Sequence, residues 1–462
     1  MSSIEAYDLI VLGSGEAGKY IAWHMAASGK RAIVVERRMV GGSCPNVACL
    51  PSKNIIHGAK VASYFERARE FGIVTDAWHV DMPSVRKRKR DMVDGLIATH
   101  MANFQKSGAE LVMGAGQFVA EKTVEVALND GGTRTLRGEM VVVNTGTRAS
   151  LPAIPGLAES SPLTHVEALE LDVVPAHLIV LGGGYVGLEF AQAFRRFGSR
   201  VTVVERGQGI LSHEDADVAE AVQQLFADEG IAVVPNATVS KVSGRSGEYV
   251  SLAISTNTGL VPLEGSHLLV ATGRTPNTQK IGLDLAGIAV TDSGFVKVNE
   301  RLETTAPGVW AVGDCAGSPF FTHIGFDDFR IIRANLTGGN RVTTGRQVPS
   351  CLFTDPELAH IGLTETEAKA KQIPYRLTKI PMLADLRTRT LAETRGFLKA
   401  LIGADDRILG FTGFGVGTGE MLPPVQLAMS VSLPYAAVRD LIITHPTLSE
   451  GLVSLFSAVP PR

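Results

Sequence analysis

Asp8-Leu9-Ile10-Val11-Leu12-Gly13-Ser14-Gly15-Glu16-Ala17-Gly18 is the stretch from which the fold is read, and Leu178-Ile179-Val180-Leu181-Gly182-Gly183-Gly184-Tyr185-Val186-Gly187 repeats it. In both, an apolar run ends in a GxGxxG turn. A second apolar run then closes on a carboxylate: Ala32-Ile33-Val34-Val35 on Glu36, and Val201-Thr202-Val203-Val204 on Glu205. Gly13 to Glu36 and Gly182 to Glu205 each span 23 positions, and the two units lie 169 positions apart. Short apolar strands that end in a glycine turn, followed by a helix-like stretch, predict an α/β chain with two βαβ dinucleotide-binding units.

Each part of the unit has its own physical task. The first glycine permits the sharp turn, the second lets backbone N–H groups approach a pyrophosphate at a helix N-terminus, and the third lets helix lie on strand. The carboxylate at the end of the next strand accepts hydrogen bonds from ribose hydroxyls. One GxGxxG could be a glycine-rich turn in a sheet that binds nothing. Two at one spacing assign Gly13, Gly15, Gly18 and Glu36 to one nucleotide and Gly182, Gly184, Gly187 and Glu205 to another. Met140 to Asn144 ends in Thr145-Gly146, and His267 to Val270 ends in Ala271-Thr272-Gly273-Arg274, which marks the last strand of each unit. Val309 to Gly313 ends in Asp314, where a carboxylate can hold a polyol hydroxyl.

The chain has 462 residues, too many for one ordinary core, and its 45% hydrophobic and 20% charged composition is that of a packed globular body. A formal charge of −3 supplies no field to recruit nucleic acid or an anionic membrane. The 49 glycines, about 11% against a usual ~7%, fit several tight turns or close approaches to ligands. Four cysteines are too few for a disulfide-stapled scaffold, Met1 to Tyr7 carries no targeting pattern, and no apolar run approaches membrane-spanning length. A cytoplasmic protein is expected. The only dense basic run, Val85-Arg86-Lys87-Arg88-Lys89-Arg90, lacks interleaved aromatic residues and reads as a solvated helix face. Beyond about Gln347, strand-like runs (375–380, 396–402, 408–414) alternate with helical stretches (364–371, 424–431) and predict a separate α+β domain.

Gly41-Gly42-Ser43-Cys44-Pro45-Asn46-Val47-Ala48-Cys49-Leu50-Pro51-Ser52-Lys53 follows the first unit. Cysteines five residues apart straddle little more than one helical turn and could face each other. A cysteine at a helix N-terminus favours the reactive thiolate, and Lys53 adds positive charge nearby. A buried structural pair or two metal ligands are the other readings, but Cys315 and Cys351 show no paired spacing that would complete a four-thiolate zinc site. No metal site is expected, and a redox disulfide is the favoured reading.

Together with a terminal His445-Pro446-Thr447-Leu448-Ser449-Glu450, these segments resemble, in order and over essentially the whole chain, the flavoprotein disulfide reductases, which include lipoamide dehydrogenase, glutathione reductase and mercuric reductase. The resemblance implies two Rossmann-like domains plus a C-terminal α+β dimerisation domain. Residues 1–150 would bind FAD, 151–273 would bind NAD(P), 274–346 would complete the FAD site, and 347–462 would form the dimer interface. FAD would be held through Gly13, Gly15, Gly18, Glu36, Gly42, Ser43, Thr145, Gly146 and Asp314. The nicotinamide dinucleotide would be held through Gly182, Gly184, Gly187, Glu205, Gly273 and Arg274, with Tyr185 shielding the flavin until the nicotinamide displaces it. Lys53 would pair with Glu189, Cys49 would face the flavin, and Cys44 would meet substrate. His445, oriented by Glu450, would come from the second subunit of a homodimer, after a cis His445-Pro446 bond.

Glu205 favours NADH, because a carboxylate repels the 2′-phosphate of NADP; Arg206 beside it argues the other way. The tail from Ser454 to Arg462 has no cysteine pair and His445 is kept, which is unlike mercuric reductase. Phe321 to Arg333 and Asp385 to Gly396 nevertheless resemble that branch and the reactive chlorine resistance flavoprotein. His323 in this stretch reads as a satisfied histidine, with a flavin-tuning or metal-binding role as the alternative. The leading expectation is an NAD(P)H-dependent disulfide reductase acting on a small or protein-borne disulfide, or run in reverse on dihydrolipoamide. The alternatives are a copper- or mercury-type metal-ion or oxidant-response reductase, and a flavin redox sensor without turnover.

Overall fold

The computed structural model describes residues 4–257 and 259–462; the first three residues of the N-terminal stretch read above lie outside this range. Among the described residues the glycine turns sit where two parallel sheets need them. In the first sheet the strand Ile4–Leu12 lies between Ala32–Glu36 and Thr133–Val143, with Glu110–Ala120 beyond the former and Val309–Ala311 beyond the latter. Val309–Ala311 thus joins the N-terminal sheet from nearly 170 residues away in sequence. Thr123–Leu128 pairs antiparallel with the extensions of both Glu110–Ala120 and Thr133–Val143. The second parallel sheet runs His267–Val270, His177–Leu181, Arg200–Val204, Ala232–Val234. Leu9 to Leu12 and Leu178 to Leu181 are all buried, as strands covered on both faces must be.

An antiparallel sheet builds the C-terminal part in the order Ser350–Leu352, Glu357–Gly362, Ile408–Gly415, Phe397–Ile402, Arg376–Pro381. The last three lie within a residue or so of the expected ones, whereas Ser350–Leu352 and Glu357–Gly362 were not foreseen. The expected helix 424–431 instead spans Thr418–Ser430 and carries Pro423 and Pro424 inside it. The expected start at Pro424 fell six residues late: a proline usually marks a helix start because it lacks the donor a helix interior uses, yet here both prolines lie inside the helix.

The basic run requires a correction. It lies on the helix Met82–Ser107, but it is not wholly a solvated face: Lys89 is only 2% exposed and pairs with Glu170, which Arg90 also meets, while Arg86 reaches Asp172. Arg86, Lys89 and Arg90 thus hold the first unit to the segment before the second, while Lys87 pairs with Asp91 on its own helix and Arg88 with Asn54. Two further clusters join the second unit to the C-terminal sheet. Asp215 accepts from Lys399 Nζ at 2.8 Å and from the backbone of Glu365 and Thr366, and Asp355 meets both Arg196 and Lys60.

Candidate active site

Both glycine turns open twelve-residue helices, Glu16–Ala27 and Tyr185–Arg196, whose N-caps are Gly15 and Gly184 and receive no side-chain cap. Their first N–H groups are therefore left for a ligand. A Cβ on Gly13 would stand 2.4 Å from Asn144 O, and one on Gly187 would stand 2.1 Å from Gly182 O, so these glycines are required by close packing. At Gly184, Gly146 and Gly273 a Cβ would meet nothing within 4 Å, which leaves open space beside the turns. Thr145 Oγ1 is buried with no hydrogen-bond partner. Open cradles, uncapped helix starts and this orphan hydroxyl fit two dinucleotides.

The two carboxylates do the same job in both units. Glu36 Oε2 accepts from Ser14 N at 2.9 Å and Ser14 Oγ at 2.7 Å, and Oε1 accepts from the backbone of Arg38 and Met39. Glu205 accepts from Gly183 N at 2.7 Å and Gly207 N at 2.6 Å. Each acid clamps the turn of its own unit. Gly42, at φ +79°, lies against Gly15, where a Cβ would come within 2.6 Å of the Gly15 Cα; this brings Ser43 and the cysteine segment up to the first turn.

Cys44 and Cys49 do not share one helix. Cys44 lies in the short helix Ser43–Val47, Ala48 breaks the backbone, and Cys49 begins the eighteen-residue helix Cys49–Glu66. Both thiols are free, half-buried and close enough to hydrogen-bond. The surroundings favour a thiolate at Cys49 and a protonated thiol at Cys44. The Cys44 thiol is pushed above the ordinary range because it donates to Cys49, is desolvated and faces Glu16. Cys49 is held below the ordinary range by that hydrogen bond, by the Thr322 hydroxyl 3.2 Å away and by the charge of Lys53. Its place at an uncapped helix start favours the thiolate in the same direction.

Lys53 Nζ lies 2.7 Å from Glu189 Oε2, and Glu189 Oε1 also accepts from Phe353 N. Glu189 follows Tyr185 by one turn, so both occupy the same side of the helix. Asp314 accepts from Thr147 Oγ1 at 2.6 Å and meets Arg274 at 3.2 Å. His445 Nδ1 lies 3.0 Å from Glu450 Oε2, the peptide bond after it is cis, and its side chain is 63% exposed. Among the described residues no hydrogen bond joins it to the thiols. His323 Nε2 lies 2.8 Å from Pro349 O, and its ring stacks on Phe321, the satisfied state expected of it. The described residues contain no group of three or more histidine, cysteine or acidic side chains that could hold a metal ion.

Sequence reasoning missed three residues that support these turns. Asn144 fills the space behind Gly13, Gly15 and Gly18; Thr322 meets Cys49; and Asp328, fully buried, accepts from Gly313 N and Ser318 Oγ while pairing with Arg346 at 2.6 Å. Their partners are distant in sequence, and no local motif marks them. Asp328→Ala is expected to cost about 3–5 kcal/mol by removing the buried partner of Arg346, which keeps only a longer contact with Asp327, and by leaving the Gly313 turn unsupported. A thermal melt would check this, with Asp328→Asn losing less; an unchanged melting temperature in Asp328→Ala would contradict it.

The family model described as pyridine nucleotide-disulphide oxidoreductase matches residues 7–329, and that of its dimerisation domain matches 348–456. A probable pyridine nucleotide-disulfide oxidoreductase, RclA of Escherichia coli, is 34% identical over 98% of this chain and 99% of its own. A dihydrolipoyl dehydrogenase of Chlamydia pneumoniae is 31% identical over 96% and 95%, respectively, and a mercuric reductase of Bacillus cereus is 31% identical over 96% and 70%. Among solved structures, the Cu(II) complex of the HOCl-induced flavoprotein disulfide reductase RclA from Escherichia coli matches with a TM-score of 0.90 at 34% identity over 99% of this chain and all of that one. No helix among the described residues is long and apolar enough to cross a membrane. With the twin dinucleotide turns, the paired thiols and matches that run the length of the chain, the protein belongs to the pyridine nucleotide-disulphide oxidoreductases, FAD- and NAD(P)H-dependent flavoenzymes that act on disulfides.

Proposed function

We propose that the chain works as a cytoplasmic homodimer that reduces a small or protein-borne disulfide with NADH, through Cys44 and Cys49. In this reading residues 1–150 and 274–346 hold FAD, 151–273 hold the nicotinamide dinucleotide, and 347–462 form the contact between subunits. When bound, the two cofactors supply the electron pair that keeps Cys44 and Cys49 reduced. The observation that carries the reading is the placement of Cys49, at an uncapped helix start beside the Thr322 hydroxyl and one turn from the Lys53–Glu189 pair, with Cys44 just before it on its own short helix.

A base must take the thiol proton of Cys44 before its sulfur can attack. His445 from the second subunit fills the role, with Glu450 fixing its tautomer. The Cys44 sulfur attacks one sulfur of the substrate disulfide, and the leaving thiolate takes a proton from His445. The Cys49 thiolate then attacks Cys44 and leaves a Cys44–Cys49 disulfide, and the second half of the substrate departs as a thiolate that takes its proton from solvent. Both electrons come from the dithiol, one proton from Cys44 through His445 and the other from solvent.

Glu205 supports NADH, because a carboxylate at the end of this strand of a dinucleotide-binding unit repels a 2′-phosphate. The ratio of kcat/KM is expected to favour NADH over NADPH about tenfold or more, corresponding to roughly 1.4 kcal/mol. Anaerobic oxidation of both nucleotides against a panel of disulfides, with cupric and mercuric ions in parallel, tests the whole reading. Fast turnover with one disulfide supports it. Turnover confined to metal ions would favour a second reading, metal-ion reduction at the same thiols, which likeness to a flavoprotein solved as a Cu(II) complex keeps in the panel.

A further inference from the structure

Tyr185, the first residue after the open Gly184 cradle, does not stand alone. Its hydroxyl donates to Glu214 Oε1 at 3.0 Å. Burial pushes the Tyr185 hydroxyl above its ordinary range, so it remains a donor, and Ser350 and Cys351 of the C-terminal sheet lie around it. Because Tyr185 shares a side of its helix with Glu189, it stands between the second glycine turn and the Lys53–Glu189 pair.

Glu214 is held firmly in turn. Leu211 adopts φ +53°, a costly conformation for a bulky residue, while its N–H donates to Gly183 O at 3.0 Å and Glu214 N donates to Leu211 O at 2.9 Å. On the other side Asp215 is pinned by Lys399 and Thr366. The strained leucine is thus tied to the middle glycine of the turn, and its loop delivers one carboxylate to one tyrosine.

We propose that Glu214 is a positioning residue that latches Tyr185 across the approach to the flavin, and that the latch is carried by the loop anchored on the second glycine turn. The inference rests on the reading above that this turn takes the nicotinamide dinucleotide and that Tyr185 screens the flavin. A nicotinamide ring arriving from Gly184 must displace Tyr185, and the Glu214 hydrogen bond opposes that displacement. It sets how readily NADH reaches the flavin without touching either cofactor's reacting atoms.

Stopped-flow reduction of the holoenzyme flavin by NADH, with flavin fluorescence and its quenching by iodide, tests the latch. Glu214→Ala and Tyr185→Phe remove the same hydrogen bond from opposite ends. Each is expected to raise the second-order rate of flavin reduction about two- to tenfold, the worth of one hydrogen bond, and to increase iodide quenching. The double variant is expected to go no further than Tyr185→Phe alone, which also loses the Ser350 contact. Glu214→Gln, whose amide oxygen can accept the same hydrogen bond, should retain most of the wild-type rate. If Glu214→Ala leaves the rate and quenching at wild-type values, or lowers only the melting temperature, the latch is refuted. If Tyr185→Phe alone changes them, the role of Glu214 falls and that of Tyr185 stands. If NADH reduces the flavin and neither variant changes anything, the screening reading falls as well.

Discussion

Cys44→Ser loses disulfide turnover by roughly 10³-fold or more while NADH still bleaches the flavin. Removing a covalent nucleophile has consequences on this scale, because the remaining groups have nothing to activate. Cys49 keeps its helix start, its Thr322 hydroxyl and its Lys53 neighbour, which still favour its thiolate, though it loses the hydrogen bond from the Cys44 thiol. Without Cys44 it cannot be reached by the substrate in the proposed order. Cys49→Ser should behave differently: Cys44 can still form a mixed disulfide, which then has no partner to resolve it and can be trapped and weighed by mass spectrometry. Steady-state rates for both variants, run beside single-turnover flavin reduction, separate the two halves of the reaction. Substantial disulfide turnover in Cys44→Ser would overturn the dithiol mechanism.

His445→Ala is expected to lower kcat/KM for the disulfide by about 10²–10⁴-fold, the usual worth of a positioned acid–base group, with flavin reduction unchanged. The size follows from the thiol pair, since Cys44 is held in its protonated form and needs an acceptor. Glu450→Gln should lose less, because it alters the tautomer and orientation of a base that is still present. The two-subunit site has a sharper consequence. Neither Cys44→Ser nor His445→Ala homodimers turn over, yet a mixed dimer contains one site with both residues intact. Co-refolded equal mixtures should therefore recover about a quarter of wild-type activity, as random pairing of subunits in a two-fold dimer dictates. No recovery in mixtures shown to contain mixed dimers would place His445 within its own subunit's site or outside the chemistry.

The parts legible in the sequence were those whose signal is local. Both glycine turns, their carboxylates and the cysteine segment each fall within about 25 positions, so spacing alone exposed them. The supports were hidden because their contacts are tertiary. Asp328 reads as one acid on an amphipathic helix, and only the fold brings Gly313, Ser318 and Arg346 to it. Lys89 was misread for the same reason: nothing near it in sequence announces Glu170, 81 positions away. Between the cysteines the error was one of backbone. A five-residue spacing looks like one helix, whereas Ala48 at φ −130° and ψ −108° ends the first turn and lets Cys49 start a new helix.

That fresh helix start bears on how the reduced enzyme endures. Sulfur is consumed by peroxides and hypohalous acids chiefly as accessible thiolate, climbing to sulfenic and then to irreversible acids. Here the charged sulfur, Cys49, is engaged by Thr322 and by the thiol of Cys44, while the other sulfur keeps its proton until a base removes it. Slower overoxidation of Cys49 than of an unengaged thiolate is therefore the expected consequence in a reduced molecule waiting for substrate.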